Sequence, residues 1–155
     1  MDFRITGLSR EPFLPLFELS DAELAARGAQ RRIADGPGFP CRVSLADAAA
    51  GERVLLLSYE HQPATNSPYR AHGPIFVREA AMQRFDRVNE VPPSLRTRLL
   101  SLRAYDRNDC IVDAEVGEGT EAEALIARFL GRGEVAYLHA HYARFGCYAC
   151  RIDRV

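Results

Sequence analysis

The sequence predicts an α+β fold, a mainly antiparallel, curved sheet built from hairpins with two main helices packed on it. Three observations carry that expectation. Stretches whose side chains alternate in direction recur at 53–61, 73–79, 99–116 and 135–153, and the last two fold back on themselves as hairpins. Only two segments carry a clear helix-start signature, Ser20 with Glu23 and Thr120 with Glu123. Both fall between sheet segments. Residues 1–155 are expected to form a single domain, long enough to bury most of its apolar surface in one core. Internal repeats, low-complexity segments and linkers are absent from the sequence.

Phe3 and Ile5 begin a short strand that ends at Gly7, and Pro12 and Pro15 keep the following apolar segment irregular, as a cover for the core. Leu19 and Leu24 can staple the capping box at Ser20, so a helix is predicted from Asp21 to about Arg27, stopping at Gly28. Gln30–Ala34 reads as a second strand. The breaker Asp35-Gly36-Pro37-Gly38 then delivers Cys41 and Arg42 from a loop, where site residues are often carried. Arg53–His61 places Leu55, Leu57, Tyr59 and His61 on one face and Val54, Leu56 and Ser58 on the other, the pattern of a central strand. A polar loop bounded by His61 and His72, with Tyr69 near its tip, leads into the strand at 73–79. In the hairpin at 99–116, a three-residue loop pairs Arg103 with Asp113, Ala104 with Val112, Leu102 with Ala114 and Leu100 with Val116. Arg103 and Asp113 would then form a cross-strand ion pair. After Thr120, the stripe Ala122, Leu125, Ile126, Phe129 and Leu130 predicts a helix lying on the sheet and ending at Gly131.

Hydrophobic residues at 47% and charged residues at 26% are ordinary globular proportions. The net charge of -1 supplies no basic footprint, so nucleic acid is not an expected partner. All 20 cationic residues are arginine, which leaves no lysine for Schiff-base chemistry. Met1–Arg10 lacks the continuous apolar run of a secretory signal, and no stretch approaches bilayer-spanning length. The expected location is the cytoplasm, without a membrane partner and with Cys41, Cys110, Cys147 and Cys150 reduced.

The stretch Glu134–Val155 concentrates the chemistry, holding two of the four histidines and two of the four cysteines. A hairpin symmetric about Arg144 sets His141 opposite Cys147 and His139 opposite Ala149. His139, His141 and Cys147 would share a face, and Cys150 would point to the other.

With FRITGL at 3–8, GFPCRVSL at 38–45, LLLSYEHQP at 55–63, SPYR at 67–70, GPIFVRE at 73–79, LLSLRAYD at 99–106, and AYLHAH and GCYA within 136–149, the chain resembles a bacterial family known as domain of unknown function 1203. The resemblance covers most of the chain. It implies a small bacterial protein of the same fold and assigns no activity.

Three readings of function follow from the residues. The leading one is a pocket for a small anionic molecule, lined by Arg42, His61, Arg103 and Tyr105 and by Tyr69 and His72 of the loop, since guanidinium forks suit carboxylate and phosphate. In that pocket Cys147 with His141, flanked by His139 and Cys41, is the candidate catalytic set, because an imidazole can activate a thiol. No cofactor is required on this reading, and the residues leave open whether the protein is an enzyme. The second reading is a zinc site from His139, His141 and Cys147, with His61 or Cys41 as a further ligand. The third is a non-enzymatic interaction or regulatory module, with a homodimer as the corresponding assembly. Cys147 and Cys150 form a lone CxxC with no second pair and no helix after it, which disfavours zinc-ribbon and dithiol uses.

Overall fold

The structure, a computed structural model, describes residues 1–155. Its nine strands are β1 (Phe3–Thr6), β2 (Gln30–Ile33), β3 (Arg53–Gln62), β4 (Ala71–Arg78), β5 (Asp86–Val88), β6 (Leu99–Tyr105), β7 (Ile111–Glu118), β8 (Tyr137–Tyr142) and β9 (Cys147–Arg154). Helices are short: α1 (Leu14–Phe17), α2 (Asp21–Ala26), α3 (Pro93–Arg96) and α4 (Ala122–Leu130). This is the expected α+β class with antiparallel pairing throughout the named strands, divided into two sheets. A six-stranded sheet runs β5-β1-β9-β8-β6-β7, and a three-stranded one runs β2-β3-β4. No helix is long and apolar enough to cross a membrane.

The main core lies between α4 and one face of the larger sheet. Ala122, Ile126, Phe129 and Leu130 of α4 pack there with Leu100, Leu102, Leu138, Ala140 and Ile152. Each such aliphatic or aromatic side chain contributes about 1.5–3 kcal/mol on full burial. The smaller sheet covers part of the opposite face, where Tyr59 and His61 of β3 meet Tyr148 of β9. All six residues of β8 are consequently buried, Leu138, Ala140 and Tyr142 toward the helix and Tyr137, His139 and His141 toward the smaller sheet. Arg42 ties the layers together. Its backbone carbonyl accepts from Leu8 and its amide donates to Phe76, while its side chain crosses to the Tyr148 carbonyl at 2.7 Å.

Both helix-start signatures are met by helices, and only one of them caps as the sequence predicts. At α2 the Ser20 hydroxyl accepts from the Glu23 amide at 3.2 Å and the Glu23 carboxylate accepts from the Ser20 amide at 2.8 Å, a complete capping box. At α4 the box at Thr120 does not form. Gly119–Glu121 makes a 3₁₀ turn instead, and Glu123 pairs with Arg96. The reason is a close backbone approach: a Cβ on Gly119 would sit 1.9 Å from the Leu95 carbonyl oxygen, so the chain enters the helix pressed against α3. Ser20→Ala is therefore expected to lower stability by about 1 kcal/mol and Thr120→Ala by less than about 0.5 kcal/mol, read from paired urea melts.

A β-bulge in each hairpin, and in the second a four-residue loop, correct the predicted registers. In the β6–β7 hairpin the three-residue loop is as expected, with Tyr105 opposite Ile111 and the Asp106 amide donating to the Cys110 carbonyl at 2.9 Å. Val112 is then left over, so Ala104 pairs with Asp113, Arg103 with Ala114 and Leu102 with Glu115. Asp113 turns toward α4 and pairs with Arg132, and the predicted Arg103–Asp113 ion pair does not form. In the β8–β9 hairpin the loop has four residues, 143–146, closed by Gly146 at φ 77, whose amide donates a hydrogen bond to the Tyr142 carbonyl. Tyr142 pairs with Cys147, His141 with Tyr148 and, past the extra Ala149, Ala140 with Cys150. The expected pairing of His141 with Cys147 is thereby overturned. Both cysteines of the CxxC face the helix side, because the bulge cancels their odd separation.

Candidate functional site

The alternation of β8 puts His139 and His141 on the face turned to the smaller sheet, and the end of β3 lays His61 across them. One ring nitrogen from each of the three imidazoles lies within 4.8 Å of the other two. Tetrahedral zinc with ligand distances of 2.0–2.1 Å holds its nitrogens roughly 3.3 Å apart, so small side-chain rotations close the set.

Aromatic rings fix the three histidines. Tyr148, placed opposite His141 by the four-residue loop, stacks on His61 with centroids 5.2 Å apart and planes 4° apart, and meets His139 edge-on at 5.1 Å. Tyr105 lies 4.8 Å from His139 and stacks on Tyr137 at 5.0 Å. Gln62, next to His61, donates to the Tyr137 hydroxyl at 2.8 Å, and that hydroxyl donates to Asp109 at 2.6 Å. Ser67 donates to the Asp109 carbonyl at 2.7 Å, which ties the loop after β3 to the β6–β7 turn. The end of β3 is held against β8 by these bonds.

Hydrogen bonding decides the tautomer of His141. Its Nδ1 lies 2.9 Å from the Gly146 carbonyl oxygen. A carbonyl can only accept, so Nδ1 carries the proton and Nε2 presents a lone pair. That Nε2 is buried without a partner, as are Nδ1 of His139 and Nδ1 of His61. Four buried side-chain polar atoms in the protein lack a partner, and three belong to this cluster.

All three imidazoles are held neutral near pH 7. Burial is the main cause in each, reinforced by the Arg103 charge, and brings His61 to about 4, His139 to about 2 and His141 to about 3. Burial also pushes the phenols of Tyr105, Tyr137 and Tyr148 upward. The outcome is a half-enclosed group of uncharged nitrogen donors, the protonation state that metal ligation requires.

Of the residues singled out in the sequence, His61, His139, His141, Arg103 and Tyr105 come together here. Arg103 is half-buried and directly opposite His139 across β6 and β8. Cys147 lies on the helix side of its hairpin, beside the main core, where its Sγ is 3.1 Å from an Arg42 nitrogen. Cys41 is buried with Phe13, Val43, Ile75 and Val77, and its Sγ accepts from the Arg78 amide at 3.3 Å. Neither thiol belongs to the histidine group. Arg42 donates to Tyr148, Pro40 and Cys147 and acts beneath the site. Tyr69 is exposed on its loop. His72 hydrogen-bonds Ser58 at 3.1 Å in a shallow groove along β3 and β4. Tyr148, Gln62, Tyr137 and Asp109 were not singled out, although the alternation that selects His139 and His141 also selects Tyr137.

No curated protein and no solved structure matches the chain. The family model described as "Protein of unknown function (DUF1203)" matches residues 38–154, a span that includes the three clustered histidines, Arg42, Arg103 and Tyr148. The chain thus belongs to the DUF1203 family.

Proposed function

We propose that this domain binds one divalent transition-metal ion, zinc by preference, through His61, His139 and His141. The observation that carries the reading is His141. Its Nδ1–H is committed to a backbone carbonyl, and its buried Nε2 lone pair has no donor. Leaving a buried polar atom unpaired costs about 1–3 kcal/mol, and a cation shared by three such nitrogens relieves all of them at once. Orientation of a ligating imidazole by a carbonyl on its other nitrogen is the usual support of a metal site. Three neutral nitrogen donors suit zinc. They also leave the fourth position of a tetrahedral ion open, which is the arrangement of catalytic rather than purely structural zinc. The sequence-based zinc reading keeps His139, His141 and the further ligand His61, and loses Cys147 and Cys41.

Calorimetric titration of metal-free protein with zinc is the test. One equivalent is expected to bind, and His141→Ala and His139→Ala are each expected to weaken binding at least about 100-fold, in line with loss of a ligand or its support. Cys147→Ser is expected to leave stoichiometry and affinity unchanged. Zinc binding that survives both histidine substitutions, or that disappears with Cys147→Ser, contradicts the assignment.

A further inference from the structure

The charge balance beside the histidines indicates what the open side of the site receives. Arg103 is half-buried, lies opposite His139, and its charge is felt by all three imidazoles. It forms no ion pair within 4.0 Å. The loss of its predicted partner is a direct result of the bulge at Val112, which turns Asp113 to Arg132 on the other face. Arg151, also on this face, is neutralised by Asp153 at 2.8 Å and stacked 3.8 Å over Tyr137. The rings packed on the imidazoles belong to Tyr105, Tyr137 and Tyr148, none of which is charged near neutrality. Asp109, bound to the Tyr137 hydroxyl, is the carboxylate of this polar network.

A dication on the three histidines would therefore have beside it a guanidinium that no carboxylate pairs. Resting on the metal-binding reading above, we infer that the site takes an oxyanion, a carboxylate or a phosphoryl group, with one oxygen at the open metal position and another on the Arg103 fork. Planar, bidentate donation is what distinguishes Arg from other cations in this role. Space for the rest of such a molecule lies beyond Arg103, where Ala114 and Val116 of the edge strand β7 face solvent.

Cobalt(II) in place of zinc makes the fourth ligand visible. Protein loaded with one equivalent of cobalt is titrated at fixed pH with acetate and, separately, with methylphosphonate, following the visible ligand-field bands. Band changes that saturate with at least one anion are expected, and whichever anion acts at lower concentration identifies the group recognised. Arg103→Gln is expected to raise the half-saturating concentration at least tenfold with cobalt stoichiometry unchanged, and Arg103→Lys to fall between. Cobalt-loaded protein with no response to either anion, or an Arg103→Gln protein that responds like the unsubstituted one, overturns the anion inference and leaves metal binding standing. Failure to bind cobalt or zinc overturns the metal reading and this inference with it.

Discussion

Replacing Arg42 with methionine is expected to destabilise the protein by about 3–5 kcal/mol and to remove most metal affinity from whatever remains folded. Arg42 is 1% exposed, with its guanidinium donating to the carbonyls of Tyr148 at 2.7 Å and Pro40 at 2.5 Å, and to Cys147 Sγ at 3.1 Å. The group also lies 4.9 Å from the centre of the Tyr142 ring. Methionine fills similar space and relieves the desolvation of a buried charge, which offsets part of the loss. It cannot donate, so two buried carbonyls are left unpaired at about 1–3 kcal/mol each. One of those carbonyls belongs to Tyr148, the ring stacked on His61, and the effect should reach the site by that route. Arg42→Lys restores one donor and is expected to fall between. Urea melts and zinc titrations of the three proteins give the answer. A loss below about 1 kcal/mol for the methionine variant would mean that the carbonyls find other donors.

Acidifying the metal-free protein from pH 7 to pH 5 is expected to cost about 4 kcal/mol of stability from His139 and His141 together. Their folded values lie below the ordinary 6.5, at about 2 and 3. Between 6.5 and those values the unfolded chain binds protons that the folded chain does not. Stability is thus fully present above pH 6.5 and falls as pH drops through the window. At pH 5 each imidazole kept neutral accounts for about 2 kcal/mol. His61, near 4 and half-exposed, adds in the same direction. The paired carboxylates Glu52, Asp86 and Asp113 all titrate below their ordinary values of 4.5, 3.8 and 3.8, so they take little part above pH 5. His139→Phe should flatten the slope between pH 6.5 and 5, and an unchanged slope would show that the imidazoles are not held neutral.

The class of the fold was legible because it rests on local patterns. Alternation gave the strands of both hairpins, and the stripe at Ala122, Ile126, Phe129 and Leu130 gave the helix that covers them. Division into two sheets was not legible, because the crossing of β3 over β8 and β9 depends on contacts between distant segments. The site was half legible. His139 and His141 share a face on any regular strand, and His61 was recognised on the strand at 53–61. What decided their company was the four-residue loop 143–146 and one extra residue, Val112. A bulge inverts the facing of every residue beyond it, and neither alanine nor valine announces one. Through the four-residue loop, Tyr148 replaced Cys147 beside His141. Through Val112, Arg103 lost Asp113 and became a free cation next to three neutral imidazoles. The failed capping box at Thr120 has the same origin, a contact with α3 that no local pattern encodes.

Anomalous diffraction from crystals grown with zinc, collected on both sides of the zinc absorption edge, bears most directly on the proposed centre. The expected result is one strong peak about 2.0–2.1 Å from a ring nitrogen of each of His61, His139 and His141, with the His141 contact made by Nε2. Peaks confined to surface carboxylates, or a peak bonded to Cys147 with those imidazoles turned away, would contradict it.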